Sequence, residues 1–157
     1  MISRFSRGQP SQWKRGILVI LLLSLTTLFA GCAESGPPTR FTVTTLHSGQ
    51  VILHVPLEID GTYESLGSGL VWVVLEDSPG NYYLQSPPVQ FTDDGKWVAR
   101  NVRPLRGIIA VTFVSVTPDG NTTFQQMVRD QLFGAFSQLP EGSTTLHSVP
   151  ITSQASP

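Results

Sequence analysis

The chain has 157 residues, with 10 Lys+Arg against 11 Asp+Glu, 40% hydrophobic residues and one cysteine. That length suits a single domain, and the acidic balance beyond residue 31 argues against nucleic acid, whose phosphates call for a basic stripe or patch. One cysteine also excludes an intramolecular disulfide framework, so stability rests on a packed core.

The charge is unevenly placed. Arg4, Arg7, Lys14 and Arg15 precede a run from Ile17 to Ala30 that carries no charge and only Ser24, Thr26 and Thr27 as polar residues, ending in small residues against Cys32. A basic stretch, a short apolar core and a small-residue cleavage zone form the anatomy of an export signal. A retained membrane helix would need about 20 apolar residues. Cleavage after Ala33 is also compatible, since Gly31 and Ala33 supply small residues where such a site needs them.

Leu28-Phe29-Ala30-Gly31-Cys32 resembles the lipobox of bacterial lipoproteins. The resemblance implies that the signal is cut before Cys32, which carries the lipid and becomes the new N-terminus. Several acyl chains on one residue would meet the requirement that stable anchoring takes more than one lipid signal. Residues 1–31 are then the signal peptide and residues 32–40 a lipidated tether, whose Gly and Pro content lacks apolar periodicity. The chain is expected in the bacterial cell envelope, inner or outer membrane being open. Beyond residue 31, six basic residues face eleven acidic ones, a formal charge of −5.

Residues 41–152 read as one β-domain. Val51, Leu53, Val55, Leu57 and Ile59 recur with period two, predicting one half-buried strand with Pro56 at an edge or bulge. Leu66-Gly67-Ser68-Gly69 reads as a loop. Leu70 to Leu75 is apolar on both faces and reads as a central strand, followed by a turn at Glu76 to Asn81. Tyr82, Tyr83 and Leu84 begin another strand, interrupted by Pro87-Pro88. A short run at Val89 to Thr92 leads through Asp93-Asp94-Gly95, a hairpin turn, into Lys96 to Arg100. Ile108 to Val116 is the second long apolar strand, with Pro118-Asp119-Gly120 as the turn after it.

The period then changes. Phe124, Met127, Val128, Leu132 and Phe136 share a helical face, predicting a helix over about 121–136 with Asn121 as N-cap. Leu139-Pro140-Glu141-Gly142 breaks the chain, Thr144 to Ile151 reads as a closing strand, and residues 153–157 read as a frayed tail. Short strands at regular spacing predict a mainly β fold, an immunoglobulin-like antiparallel β-sandwich with one late helix packed on it. Ile108 to Val116 would then have the opposite sheet on one side and the helix on the other.

Asp60-Gly61-Thr62-Tyr63, Val71-Trp72-Val73-Val74, Tyr82-Tyr83-Leu84-Gln85, Asp94-Gly95-Lys96-Trp97 and Leu139-Pro140-Glu141-Gly142 occur in this order. Together they resemble a poorly characterised bacterial β-rich accessory domain. The resemblance implies a binding or accessory role and brings no catalytic residues.

The residues themselves offer little chemistry. His47, His54 and His147 have no metal-ligand spacing, so no metal is expected. No serine sits in a nucleophile elbow, Glu76-Asp77 and Asp93-Asp94 read as turn carboxylates, and no glycine-rich phosphate loop occurs, so neither an enzyme nor a cofactor is expected. Trp72 reads as core. Tyr82, Tyr83 and Trp97 are the candidate ligand-binding residues, the two adjacent tyrosines pointing to opposite faces of their strand. The expectation is a non-enzymatic envelope lipoprotein, membrane-bound through Cys32, that binds an envelope protein or scaffolds a complex. A carbohydrate-binding or adhesion module is the alternative, and a hydrolase assembled from distant loops ranks last.

Overall fold

The computed structural model describes residue 38, residues 40–65 and residues 69–156. The signal segment, Cys32, most of the tether and the Leu66-Gly67-Ser68 loop lie outside the described residues. Glu34–Pro157 forms a compact unit of its own. Among the described residues no helix is long and apolar enough to cross a membrane.

The described residues form a mainly β fold, with two sheets and one helix. In chain order the elements are β1 (Thr42–Val43), β2 (Gln50–Ile52), β3 (Leu57–Thr62), β4 (Leu70–Ser78), β5 (Asn81–Leu84), β6 (Gln90–Phe91), β7 (Lys96–Val102), β8 (Ala110–Val116), α1 (Pro118–Arg129) and β9 (Ser143–Ser153). One sheet has the order β1-β3-β7-β6 and the other β2-β9-β8-β4-β5.

The two doubly apolar runs sit where their composition demands. Val71 to Leu75 of β4 and all of β8 are buried, and they pair in register from Leu70↔Val116 to Glu76↔Ala110. Their alternating side chains feed two cores. Val71, Val73, Leu75, Val111 and Phe113 face the four-stranded sheet, meeting Ile59, Trp97, Ala99 and Val102. Trp72, Val74, Val114 and Val116 face the other way, onto Phe124 of α1. The expectation of a sheet on one side of β8 and a helix on the other therefore matches the structure.

The long period-2 run does not form one strand. The chain leaves the five-stranded sheet after Ile52 and enters the four-stranded sheet at Leu57, crossing through Leu53 to Pro56 with a cis Val55–Pro56 bond. The crossing resets the side-chain phase: Ile52 is buried while Val51 and Leu53 are exposed, and Ile59 points inward again. β2 runs parallel to β9, whereas the other strand pairs are antiparallel, which corrects the wholly antiparallel expectation.

The helix starts and stops earlier than its apolar face predicts. Thr117 is the N-cap, its hydroxyl accepting from the Gly120 N–H at 3.3 Å, and Pro118 occupies the first turn. Proline suits that turn because its missing N–H would be unpaired there anyway, and Asp119 suits the positive end of the helix dipole. Pro118-Asp119-Gly120 is thus helix rather than turn. Asn121 lies inside the helix, where its Oδ1 accepts from Trp72 Nε1 at 3.0 Å. The helix ends at Arg129, with Gln131 in the left-handed region at φ +56. Leu132 consequently stands exposed rather than on the buried face, while Phe136 pairs its backbone with the β5 edge at Tyr82. Asn121→Ala leaves the Trp72 N–H, on a residue only 2% exposed, without its acceptor, with an expected loss of about 1–3 kcal/mol. Urea unfolding checks it, with Thr122→Ala on the exposed side of α1 as the comparison.

β9 contains a bulge that decides which of its side chains face in. Opposite Phe113 and Val114, Leu146 is an extra residue that turns inward against the main core while His147 stays exposed. The chain end does not fray at residue 153: Ser153 Oγ donates to the Pro104 carbonyl, Gln154 N donates to Ile52 O at 2.9 Å, and Ala155 is 1% exposed in the core.

Candidate functional site

Of the three aromatic candidates, Trp97 is removed by its position. It is 1% exposed, stacked on Phe41 with ring centroids 4.5 Å apart and 10° between planes, and its Nε1 donates to Thr62 O at 3.2 Å. It sits inside because β7 alternates Trp97 and Ala99 toward the facing sheet. The two tyrosines do point apart. Tyr82 is half-buried in the outer cluster, its ring centroid 5.9 Å from that of Phe136 and its N–H and C=O both bonded to Phe136 at 2.9 Å. Tyr83 turns to the opposite face and opens onto a cleft.

That cleft, of roughly 770 Å³, is assembled from four parts of the chain. Leu75 and Asp77 come from β4, Tyr83 and Leu84 from β5, Arg103 to Ile108 from the β7–β8 connection, and Phe133 from the segment after α1. Leu75, Leu84 and Ile108 are buried, whereas Leu105 and Phe133 are exposed at its rim. Sites for small ligands are commonly concave, largely apolar and of this size.

The connecting loop is fixed from both ends. Asn101 adopts φ +60 and accepts Arg103 Nε on its Oδ1 at 3.0 Å, while Arg103 N donates to Gln85 Oε1 at 2.9 Å. Arg106 N donates to Ala155 O and Ile108 N to Leu105 O, closing a turn through Gly107 at φ +97. The chain end that was expected to fray is therefore what holds one wall of the cleft.

The polar end of the cleft is a closed cluster. Tyr83 OH donates to Asp77 Oδ2 at 2.7 Å, Asn81 Nδ2 donates to Asp77 Oδ1, and Ser78 Oγ donates to the same oxygen at 3.1 Å. The Tyr83 hydrogen bond, then that of Asn81, holds the Asp77 carboxyl below the usual carboxylate range, and the same bond to Asp77 pushes the Tyr83 phenol up. The two shifts have opposite limbs. The Asp77 contribution is present above a pH of about 4 and is lost as acid protonates it, while the Tyr83 contribution is present below a pH of about 10 and is lost as base ionises it. Tyr83→Phe is therefore expected to remove the alkaline limb that Tyr83 contributes and to shrink the acid limb, because Asp77 loses the largest cause of its depression and its folded pKa moves back toward the unfolded value, read by thermal unfolding across pH.

A second concavity, on the solvent side of the four-stranded sheet, is lined by matched charges: Arg100 Nε lies 3.0 Å from Glu58 Oε2 and Lys96 Nζ 2.6 Å from Asp94 Oδ2. Lys96, then Thr92, lowers the Asp94 carboxyl to about 2. Both pairs are solvent-exposed and contribute little to stability. Among the described residues, no three His, Cys, Asp or Glu side chains come together as a metal site.

Of the three aromatic candidates Tyr83 lines the cleft, and the residues around it there were not singled out from the sequence. Arg103 and Arg106 flank Pro104-Leu105 in a domain otherwise dominated by acids, a signal legible in the composition of that segment. No family model matches the chain, and no curated protein or solved structure matches it either.

Proposed function

We propose that the protein is a non-enzymatic envelope lipoprotein, anchored through lipid on Cys32, whose immunoglobulin-like β-sandwich binds a partner protein. The sandwich reading is supported by connections that repeatedly cross between the sheets: β3 lies in one, β4 and β5 in the other, β6 and β7 in the first, β8 and β9 in the second. The observation that carries the partner reading is the apolar rim of the cleft. Leu105 and Phe133 are 37% and 47% exposed there, and Leu132 beside Phe133 is 56% exposed. Contiguous exposed apolar groups of this kind mark interaction surfaces more often than isolated ones do. A binding role rather than a catalytic one is supported by the full engagement of Asp77, whose depressed pKa suits neither a general acid nor a base at neutral pH.

The anchor and the surface are tested separately. Cys32→Ser is expected to abolish incorporation of labelled palmitate and move the chain out of the membrane fraction; a variant that still partitions with acylated membrane protein defeats the lipoprotein reading. For the surface, crosslinking of residues 34–157 in solubilised envelope should enrich a defined protein over an unrelated acidic β-domain. The same enrichment should disappear with Leu105→Ser/Phe133→Ser, and if it survives that change the rim is not the docking surface.

A further inference from the structure

The basic residues of the domain are not equivalent. Arg40 is paired with Glu64, Lys96 with Asp94 and Arg100 with Glu58, and Arg129 is folded back onto the Gln126 side-chain oxygen. Two remain, Arg103 and Arg106, and both line the cleft. Among the described residues neither forms an ion pair. Arg103 Nε meets the neutral Asn101 Oδ1, which orients the guanidinium without cancelling its charge, and Arg106 is fixed through its backbone at Ala155.

Among the described residues, the one carboxylate lining the cleft does not neutralise them. Asp77 is engaged by Tyr83, Asn81 and Ser78, and neither arginine contributes to its lowered pKa. In a segment of net charge −5, the two uncompensated cations therefore both line one cavity of roughly 770 Å³ with Leu75, Ile108, Leu105 and Phe133 as its apolar wall. Guanidinium groups present planar forks that match carboxylate and phosphate oxygens.

We propose that this cleft binds an anionic amphiphile, with its carboxylate or phosphate head on Arg103 and Arg106 and its apolar body against Leu75, Leu105, Ile108 and Phe133. The inference goes beyond the partner-binding reading and does not depend on it, because it concerns a small ligand held within the cleft. Head and body are both required. A neutral apolar molecule would leave the guanidinium groups without counter-charge, and a bare anion would leave the apolar wall in water.

The test uses residues 34–157, the compact unit that contains both core clusters. Titration with the anionic fluorophore anilinonaphthalene sulfonate is expected to show saturable binding of one equivalent. Oleate or dodecyl phosphate should displace it and dodecanol should not. Displacement by oleate alone identifies a carboxylate ligand, by dodecyl phosphate alone a phosphate-headed one, and either supports the site. Arg103→Gln/Arg106→Gln is expected to weaken the anionic probe by about tenfold or more, with unchanged circular dichroism and unchanged binding of uncharged phenylnaphthylamine. Non-saturable binding, equal displacement by dodecanol, or an unaffected double variant would each overturn the proposal. If both probes weaken together, the variant has damaged the cleft rather than its charge; Arg103→Lys/Arg106→Lys, which keeps the charge, must then restore the anionic probe, and its failure to do so counts against the site.

Discussion

Replacing Phe113 with alanine is expected to lower the stability of the domain by about 3–5 kcal/mol, the cost of emptying a large aromatic site in a packed core. Single domains are stable by only about 5–15 kcal/mol in total, so this one change removes at least about a fifth of the stability and, in a marginal domain, most of it. Phe113 is 0% exposed in the middle of β8, and its ring centroid lies 5.0 Å from Trp97 of β7 and 5.3 Å from Phe41 ahead of β1. Phe41 in turn stacks on Trp97. Three rings thus join the two sheets, and each pair adds about 0.5–1.5 kcal/mol beyond its buried area. The neighbours Val71, Val73 and Val111 are β-branched and locked in paired strands, so they cannot move in to fill the space. Chemical denaturation of residues 34–157 measures the loss, with the emission of the two buried tryptophans, Trp72 and Trp97, reporting unfolding. A loss under about 1 kcal/mol, the size of an ordinary substitution, would mean that these rings do not hold the sheets together.

What the sequence made legible follows from how local its signals are. β4 and β8 are readable because a strand buried on both sides must be apolar at every position, and LVWVVL and AVTFVSV approach that. The turn into β7 is readable because Gly95 takes φ +79. The switch after Ile52 was not readable, because alternation continues across it: period two reports that side chains alternate, not that they alternate against the same sheet. The helix start was misplaced because Thr-Pro-Asp serves a turn and a first helical turn equally well, and only the Thr117 hydroxyl on Gly120 decides between them. Trp97 was misassigned because an aromatic in an amphipathic strand carries no mark of which face is inside.

The cleft lay further from view for a different reason. Its walls come from β4, β5, the 103–108 loop and Phe133, and the loop itself is held by residues 153–155. No window of sequence contains that arrangement. Ser153 and Ala155 look like tail residues because they are small and polar or neutral, yet both are buried, Ser153 with its hydroxyl on the Pro104 carbonyl and Ala155 with its carbonyl accepting from Arg106 N–H. The motif-like segments gain a physical account at the same time. Gly142, at φ +75, presses on Thr117, where an added Cβ would come within 2.5 Å of the capping hydroxyl, so the break before β9 and the start of α1 constrain each other.

Gly61 carries the sharpest constraint of this kind, and Gly61→Ala is expected to destabilise by about 3 kcal/mol or more, at the upper end of overpacking effects. Gly61 lies in β3 between Val43 of β1 and Trp97 of β7. A Cβ built on it would fall 1.8 Å from the Thr42 carbonyl oxygen and 2.5 and 2.6 Å from two carbons of the Trp97 ring. The ring cannot slide away, because Phe41 stacks on it and Phe113 lies against it. The carbonyl cannot rotate away without detaching β1, and with it Phe41, which precedes that strand. Gly134→Ala is the control, since nothing lies within 4 Å of its added Cβ; its effect should stay within about 0.5 kcal/mol. The two clashes can also be separated. Combining Gly61→Ala with Trp97→Phe removes the ring carbons involved but leaves the Thr42 oxygen in place. If the backbone contact dominates, as its shorter distance argues, the double variant is less stable than either single variant. If the tryptophan dominates, the double variant recovers stability relative to Gly61→Ala alone, and the tight approach of β1 to β3 is not what selects glycine here.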